Sequence, residues 1–293
     1  MGISSHPSTV TLPQIATPYP SLLEFLSHRF PHISREIWAR RLVAGKILDA
    51  AGAPLTLVSS YQPHLQIRYF REVENESQIP FSESILYQDD DLVVADKPHF
   101  LPVTPGGRYV EECLLSRLRR STGLADLVPL HRIDRETAGI VLFSVNKKTR
   151  GCYAGLFLRG EVEKTYQALS ASRPGLEGSV WVVENRIERG APSFRMQVVP
   201  GTANARSVIT LLECNNGIAR FLLQPLTGKT HQLRLHLSSL GCGILNDRFY
   251  PKLQAERADN YANPLQLLAQ MVRFSDPLSG VIREFVSGRE LLC

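Results

Sequence analysis

The sequence predicts an α+β protein in which a larger domain, built on a mixed and largely antiparallel sheet, follows a small N-terminal α/β module. Strand-like apolar runs outnumber helical patterns in the larger part and often adjoin each other, which favours this sheet over a doubly wound parallel one. The length of 293 residues indicates about two domains. With 43% hydrophobic and 21% charged residues, the composition excludes disordered and fibrous classes.

Residues 1–16 are rich in Ser, Thr and Pro, and we expect them to form a flexible segment. They have neither the basic start nor the apolar stretch of a signal peptide. The five cysteines are odd in number and widely spaced, which argues against a disulfide framework and indicates reduced thiols. No run of about 18 apolar residues indicates a membrane span. We therefore expect a cytoplasmic protein without a membrane partner, and we take a monomer as the default.

Residues 17–71 carry the pattern of a compact helical and extended module. One helical pattern begins at Ser21 and ends before Pro31, and a second begins at the N-cap Ser34 and ends at Gly45. Two short extended runs follow, at 46–48 and 65–70. The module therefore combines two helices with a small sheet.

Residues 72–78 are polar, acidic and without periodicity, which predicts a linker to a larger domain at residues 79–293. Apolar runs in this domain predict strands at 85–87, 92–95, 140–145, 165–169, 206–212 and 218–223. Helical patterns occupy 110–120, 148–158 and 231–240.

Basic charge concentrates in the small module. Between residues 28 and 46, five Lys and Arg residues stand against one acid, whereas the whole chain has a net charge of only +5. This cluster is typical of a phosphate-backbone site, but a solvated helix face explains it equally well. The candidate RNA contacts are Arg35, Arg40, Arg41 and Lys46.

The same segment resembles the alpha-L RNA-binding motif, a small module of a ribosomal protein and of several RNA-modifying enzymes. The similarity lies in residues 33–35, 39–43 and 44–47, while residues 49–52 replace the motif's usual Asn-Gly turn. The resemblance implies that the module binds backbone phosphates and adds affinity rather than base identity.

A polar segment, residues 131–139, directly precedes the apolar run at 140–143. It places Asp134 between Arg132 and Arg135. Because nearby cations keep a carboxylate ionised even where burial opposes it, this Asp is a candidate nucleophile or base. A structural Asp–Arg ion pair is the alternative interpretation.

Residues 228–237 form a second polar segment. Its Gly-Lys-Thr start is not a phosphate loop, because Leu223 stands where that motif needs a Gly. His231 and His236 are five positions apart, which does not fit a helical zinc pair, so we expect them to be structural and expect no metal. Arg234 lies one helical turn from His231 and is placed to meet an anionic partner. Tyr166, in a strand-like run, either packs in the core or stacks on a base.

Together these segments resemble the RluA family of pseudouridine synthases, with agreement in order and spacing over residues 80–290. The matched segments are the His-Arg-Ile-Asp-Arg block at 131–139, the Lys-Thr-Tyr-Gln-Ala run at 164–168, the Gly-Lys-Thr-His-Gln-Leu-Arg block at 228–236, and the runs at 91–98 and 243–250. The departures from the family pattern are Ile133, Ala138, Lys229, Cys242, Gly243 and Asn246.

The resemblance implies an isomerase that converts uridine to pseudouridine in structured ribosomal or transfer RNA without metal or organic cofactor. It implies that Asp134 is the catalytic acid group, Arg234 its ion-pair partner, and Tyr166 the residue that stacks on uracil. Arg132 is expected to occupy the space that the flipped nucleotide leaves. Lys229 and His231 complete the expected RNA contacts.

Two other classes of function compete with this interpretation. A catalytically inactive RNA-binding or ribosome-assembly factor would have the same fold, but the presence of Asp134, Tyr166 and Arg234 together speaks against it. A metal-dependent nuclease or phosphotransferase is disfavoured because acidic residues do not cluster with the histidines at ligand spacing.

Overall fold

The computed structural model describes residues 2–4, 7–73, 75–172, 179–255 and 258–292. The chain divides into two compact units, an N-terminal unit that runs to Ser77 and includes Gly106–Glu111, and a larger unit formed by Gln78–Pro105 and the chain from Glu112 onward. The boundary after Ser77 lies inside the stretch expected to be a linker. Nothing in the local sequence indicates that Gly106–Glu111 groups with the first unit.

The N-terminal unit contains two helices and two small antiparallel sheets. Its described elements are α1 (Leu22–Arg29), α2 (Arg35–Val43), β1 (Gly2–Ile3), β2 (Ser8–Thr11), β3 (Ile47–Asp49), β4 (Gln66–Tyr69) and β5 (Glu72–Val73). Strands β2, β4 and β3 form one sheet in that order, and β1 pairs with β5. Ser21 and Ser34 cap the helices, each accepting a hydrogen bond from a backbone N–H three residues further on. The predicted N-cap at Ser34 is confirmed.

The N-terminal segment differs from the expectation of flexibility. Residues of β2 pair with β4, and Leu12 is fully buried in the same core as Trp38. The physical reason is the alternation of Val10 and Leu12 with polar neighbours, a period-two pattern that covers one face of a sheet. Residues 72–78 also differ in part, because their first two residues form β5.

The larger unit is built around one large sheet. Its described strands are β6 (Ser84–Gln88), β7 (Leu92–Lys97), β8 (Val128–Pro129), β9 (Ala138–Ser144), β10 (Glu163–Ala171), β11 (Val180–Arg189), β12 (Met196–Val199), β13 (Ala205–Asn215), β14 (Ile218–Pro225), β15 (Leu267–Ser275) and β16 (Ile282–Val286). Its helices are α3 (Leu114–Thr122), α4 (Arg150–Arg159) and α5 (Gln232–Ser239).

The strand order is β12-β11-β13-β14-β10-β15-β9-β7-β6, with β16 beside β15 and β8 beside β9. Among the strands described, β9 and β15 pair in parallel and all other pairs are antiparallel. The α+β prediction with a mixed, largely antiparallel sheet is therefore confirmed. In the described ranges no helix has the length and apolar character to cross a membrane. Four cysteines there are free thiols, and Cys293 lies outside these ranges.

Gly139 allows the parallel contact at the centre of this sheet. Its φ is +114°, and a Cβ at this position would collide with the backbone carbonyl of Ala269 on β15. Only glycine tolerates both the conformation and the close approach. Because the polar segment 131–137 ends two residues earlier, this contact fixes where that segment enters the sheet.

Candidate active site

A cavity of ≈ 440 Å³ opens beside the centre of the sheet, within the size range of small-ligand sites. Three segments supply most of its lining: the aspartate loop (residues 131–137), β10, and the chain from the end of β14 into α5. Its polar and charged lining includes Arg132, Asp134, Lys164, Tyr166, Lys229, His231, Gln232 and Arg234. The structure therefore brings together all the catalytic candidates of the larger domain.

Arg234 links two carboxylates at this cavity. Its Nη1 donates to Asp134 Oδ2 at 3.3 Å, while Nε and Nη2 donate to the two oxygens of Asp247 at 2.8 and 2.6 Å. Asp247 is itself fixed, because Oδ1 also accepts the backbone N–H groups of Phe249 and Tyr250. The predicted proximity of Asp134 and Arg234 is thus present, and Asp247 adds a bidentate anchor of the kind that orients a guanidinium.

The Arg234 guanidinium is deeply buried, with 2% of its side chain exposed, and Asp247 is 1% exposed. Its Cζ lies 4.8 Å from the ring centroid of Phe249 and 5.5 Å from that of Tyr250. Burial alone would lower the pKa of Arg234, but the hydrogen bonds and charge of Asp247, with Asp134 and Glu136, raise it overall. Arg234 is therefore a permanent positive charge facing Asp134.

Backbone tethers hold the aspartate loop in place. Lys97 is fully buried, and its ammonium donates to the carbonyls of Pro98, Leu101 and Arg135. His99 contacts the carbonyl of Glu136 at 2.6 Å. Lys97 and His99 thereby fix the backbone of the two residues that directly follow Asp134, a role that their positions in the sequence do not indicate.

His131 fixes the start of the loop. Its Nε2 accepts the backbone N–H of Leu142 on β9 at 3.1 Å, and its ring stacks on Phe157. Burial lowers the pKa of His131 to about 3, with a further contribution from Lys164. This histidine is therefore a neutral structural group.

Arg135 does not flank the Asp134 carboxylate as the sequence suggested. Its guanidinium makes two 2.9 Å hydrogen bonds to Asp259 and one of 2.8 Å to Glu136. The expectation of two neighbouring arginines around Asp134 is corrected accordingly: the hydrogen-bonded cation is Arg234, a hundred positions away in sequence. Asp259 lies outside the motifs at 131–139, 164–168 and 228–236, so no local pattern indicates this pairing.

Tyr166 enters the cavity from β10, where the pairing with β15 is irregular. The register shifts between Thr165 and Tyr166, which is the local change that re-aims a side chain. Burial, and to a lesser extent the charge of Asp134, raise the pKa of the phenol, so it is neutral at physiological pH. Tyr166 also packs against the apolar cluster that includes Leu223 and Leu267, which agrees with the packing alternative, while stacking on a base stays a prediction.

His231 stands immediately before α5 in the left-handed conformation, with φ of +55°. Its Nδ1 contacts the hydroxyl of Tyr250 at 2.9 Å, and its Nε2 faces Asp134 Oδ2 at 3.8 Å. Burial lowers its pKa, while Asp134 acts in the opposite direction. The predicted structural role fits one edge of this ring, but the other edge lines the cavity.

Gln232 holds in place the third lining segment of the cavity, the chain from the end of β14 into α5. Its Oε1 accepts from the Thr227 hydroxyl and the Lys229 N–H, and its Nε2 donates to the Arg206 carbonyl and the Ser207 hydroxyl. Its place in a recognised motif was the only sequence signal for this role.

The basic cluster of the N-terminal unit is only partly available at its surface. Arg41 is buried, stacks over Trp38 and pairs with Glu72, so the expected surface contact at Arg41 differs in the structure. Lys46 also pairs with Glu72, and Arg35 pairs with Glu24, although both cations are exposed. Arg40 is exposed as well. The acid that pairs with Arg41 lies in β5, 31 residues away and outside the basic segment 28–46.

Comparison with known proteins shows which family this chain resembles. The family model for RNA pseudouridylate synthase matches residues 91–239, half of the chain. The dual-specificity RNA pseudouridine synthase RluA of Haemophilus influenzae is 32% identical over 211 residues, covering 69% of this chain and 90% of that protein. The Escherichia coli enzyme of the same name is 31% identical over 199 residues, covering 67% and 88%.

Among solved structures, human RNA pseudouridylate synthase domain containing 4 superposes with a TM-score of 0.54 at 27% identity, covering 71% of this chain and 88% of that one. The segment matched by the family model contains Asp134, Tyr166 and Arg234. The chain therefore belongs to the RluA-type family of RNA pseudouridine synthases, isomerases that convert uridine to pseudouridine in RNA.

Proposed function

We propose that this isomerase acts on uridine in structured ribosomal or transfer RNA and that Asp134 is its catalytic acid group. The observation that carries the proposal is the Asp134 carboxylate in the cavity, 3.3 Å from the buried Arg234 guanidinium. Two relatives are named dual-specificity RNA pseudouridine synthases, which supports a proposal that keeps two RNA classes open. The free thiols favour a cytoplasmic location, and a monomer is the simplest assembly.

The reaction breaks the N1–C1′ bond, rotates the uracil and joins C5 to C1′; C5 then loses its proton and N1 gains one. Asp134 serves either of two routes. It attacks C1′ and displaces the uracil, or it removes the C2′ proton so that the uracil leaves. Both routes need an ionised carboxylate at the sugar.

Arg234 orients Asp134 and places a positive charge beside its carboxylate. A carboxylate in a partly buried site needs a compensating cation, and the guanidinium supplies one that cannot lose its proton. Because Asp247 holds the other edge of Arg234, the guanidinium cannot rotate away when substrate enters. We therefore assign Asp247 as the positioning residue for the Asp134–Arg234 pair.

Tyr166 stacks on the uracil and assists the loss of the C5 proton. Since its phenol is neutral, it cannot remove that proton as a resident base. It must pass its own proton to an acceptor as it takes the one from C5, and we assign Asp134, whose charge acts on the phenol, as that acceptor.

The cationic side chains at the cavity have two proposed roles: to bind backbone phosphates of the RNA, and to fill the space that the flipped nucleotide leaves in the stack. Arg132 and Lys229 are exposed lining residues, and Lys164 is partly buried. A target nucleotide must leave its stack to reach Asp134, and we assign Arg132 to the space that it leaves. Lys229 contacts the backbone as a point charge, without the bidentate fork of an arginine.

In the N-terminal unit, we propose that Arg35, Arg40 and Lys46 bind backbone phosphates. Their exposure supports this role, whereas burial of Arg41 makes it a structural residue. Replacing Arg40 and Lys46 by Gln should weaken RNA binding and reduce the slope of log K against log salt by about 1 for each lost phosphate contact. An unchanged slope would show that these cations do not bind phosphates and would favour the alternative, a solvated helix face.

Tritium release from C5-tritiated uridine tests the proposed function. The substrates are unmodified bulk ribosomal RNA and bulk transfer RNA, each incubated with wild type, Asp134→Asn and the exposed-site control Asp126→Asn. Release by wild type and the control, but not by Asp134→Asn, is the expected result and identifies the RNA class. Absence of release from both RNA pools with folded protein would instead favour the inactive binding factor.

A further inference from the structure

We infer that His231 accepts a hydrogen bond from the ribose 2′-hydroxyl of the target uridine and thereby selects RNA over DNA at the reacting nucleotide. The inference rests on the proposed role of Asp134. It starts from an acceptor that the mechanism leaves unused. His231 Nε2 opens onto the cavity 3.8 Å from Asp134 Oδ2, and no described side chain or backbone group donates a hydrogen bond to it.

The hydrogen bonds of the Tyr250 hydroxyl determine which nitrogen of the His231 ring carries the proton. Gly190 N–H donates to Arg195 O, so the next pair of the antiparallel ladder, Arg189 and Met196, exchanges no backbone hydrogen bonds. Both backbone groups of Met196 are therefore free to bond the Tyr250 hydroxyl. This hydroxyl accepts a hydrogen bond from the Met196 N–H at 2.8 Å and donates one to the Met196 carbonyl at 3.1 Å.

A phenol has one proton, and Met196 O receives it. The remaining lone pair of the Tyr250 oxygen then accepts from His231 Nδ1–H, and every group in this network is satisfied. In a neutral ring this arrangement leaves Nε2 as a pure acceptor. Burial, with Arg234, favours the neutral ring over the charged one, although Asp134, Asp247 and Glu136 oppose them.

The ring is held rigidly in this orientation. Its centroid lies 5.5 Å from that of Phe249 and 5.7 Å from that of Tyr250, and its backbone occupies the left-handed region that few residue types tolerate. A preorganised acceptor of this kind discriminates strongly, because a ligand without the matching donor leaves it unpaired.

The position of Nε2 identifies the donor that it meets. Either route for Asp134 places its carboxylate at C1′ or C2′ of the sugar, so an acceptor 3.8 Å from that carboxylate lies at the sugar as well. Within an RNA strand the 3′ and 5′ oxygens are esterified, and the 2′-hydroxyl is the remaining O–H. It is also the group by which proteins distinguish RNA from DNA. The uracil N3–H is the other donor of the nucleoside, but it lies on the base.

A cycle of variants and substrates tests the inference. The substrates are RNA hairpins around the uridine mapped by tritium release, with uridine, 2′-deoxyuridine or N3-methyluridine at that one position. The proteins are wild type, His231→Asn, which tolerates the left-handed backbone but is too short to reach, and Tyr250→Phe, which leaves the ring but frees Nδ1. His64→Asn is the control, because His64 also has a positive φ and is exposed in the N-terminal unit. Circular dichroism and melting check that each variant is folded.

The comparison uses ratios of kcat/KM, so any intrinsic effect of the deoxy sugar on bond breaking cancels. We expect the 2′-deoxy penalty to be about tenfold to a hundredfold larger in wild type and His64→Asn than in His231→Asn, with Tyr250→Phe between them. Equal penalties in all four proteins would overturn the inference. Loss of the N3-methyl penalty instead would assign Nε2 to the uracil. If wild type turns over no RNA, the proposed function itself fails, which is a separate result.

Discussion

Asp247→Asn is expected to destabilise the larger, catalytic unit strongly, although Asp247 is not expected to touch substrate. The Asp247 carboxylate accepts two guanidinium hydrogen bonds and two backbone N–H groups while almost fully buried. An amide keeps the size of the side chain but removes its charge. It also turns one N–H donor toward a group that is itself a donor.

The size of the effect follows from this burial. Removing one partner of a buried ion pair leaves an uncompensated charge and costs about 3–5 kcal/mol. Asp134 compensates part of the charge of Arg234, which places the expectation toward the lower end of that range. A catalytic unit of this size loses about 2–4 °C in its unfolding midpoint per kcal/mol, so the midpoint should fall by about 6–12 °C. The freed guanidinium should also turn to Asp134, lowering kcat more than it changes KM.

Fluorescence can isolate the catalytic unit, because one of the two tryptophans, Trp38, lies in the N-terminal unit and the other, Trp181, in β11. In a Trp38→Phe background, thermal unfolding followed at Trp181 would compare Asp247→Asn with Asp126→Asn. Asp126 pairs with Lys147 at the surface, where solvent screens the ion pair, so its loss should leave the unfolding midpoint nearly unchanged. Equal shifts for the two variants would refute the assigned role of Asp247.

Three further predictions follow from the same structure. Tyr166→Phe keeps the stacking ring and should leave KM unchanged, while single-turnover release of the C5 proton slows by about a hundredfold; an unchanged rate would remove the hydroxyl from the reaction. Stability should fall as the pH drops below about 6.5, because His131 and His236 have folded pKa values of about 3 and about 4 and the unfolded chain binds the protons instead. At pH 5 each should cost about 2 kcal/mol in urea unfolding, and a flat profile would contradict their burial. Gly139→Ala should cost more than about 3 kcal/mol, whereas Gly123→Ala, which shares a positive φ but meets open space, should cost about 1 kcal/mol; equal losses would refute the close approach.

Sequence predicted the features that depend on neighbouring residues. The N-cap at Ser34 and the strands around residues 92–97 and 138–144 follow from short-range patterns, and the structure contains them. The parallel contact of β9 and β15 joins segments more than a hundred residues apart, and no local pattern encodes it. The predictions from local patterns also do not include the strands β1, β2, β5, β8, β11, β12, β15 and β16.

The site shows the same division. Asp134, Tyr166 and Arg234 could be found because their motifs are local and their residue types indicate the chemistry. The partners that orient them could not, because charge pairing in a folded chain is decided by distance in space. Arg135 turns to Asp259, 124 positions away, although Asp134 is its sequence neighbour. Arg41 is neutralised by Glu72 for the same reason.

The most direct test of the central claim is single-turnover pseudouridine formation by Asp134→Asn, with RNA affinity measured on the same hairpin. The account predicts that the rate falls by at least about a thousandfold. The dissociation constant should stay within a few fold, because Arg132, Lys229 and the exposed cations of the N-terminal unit are unchanged. A rate within tenfold of wild type at unchanged affinity would contradict the assignment of Asp134 as the catalytic group.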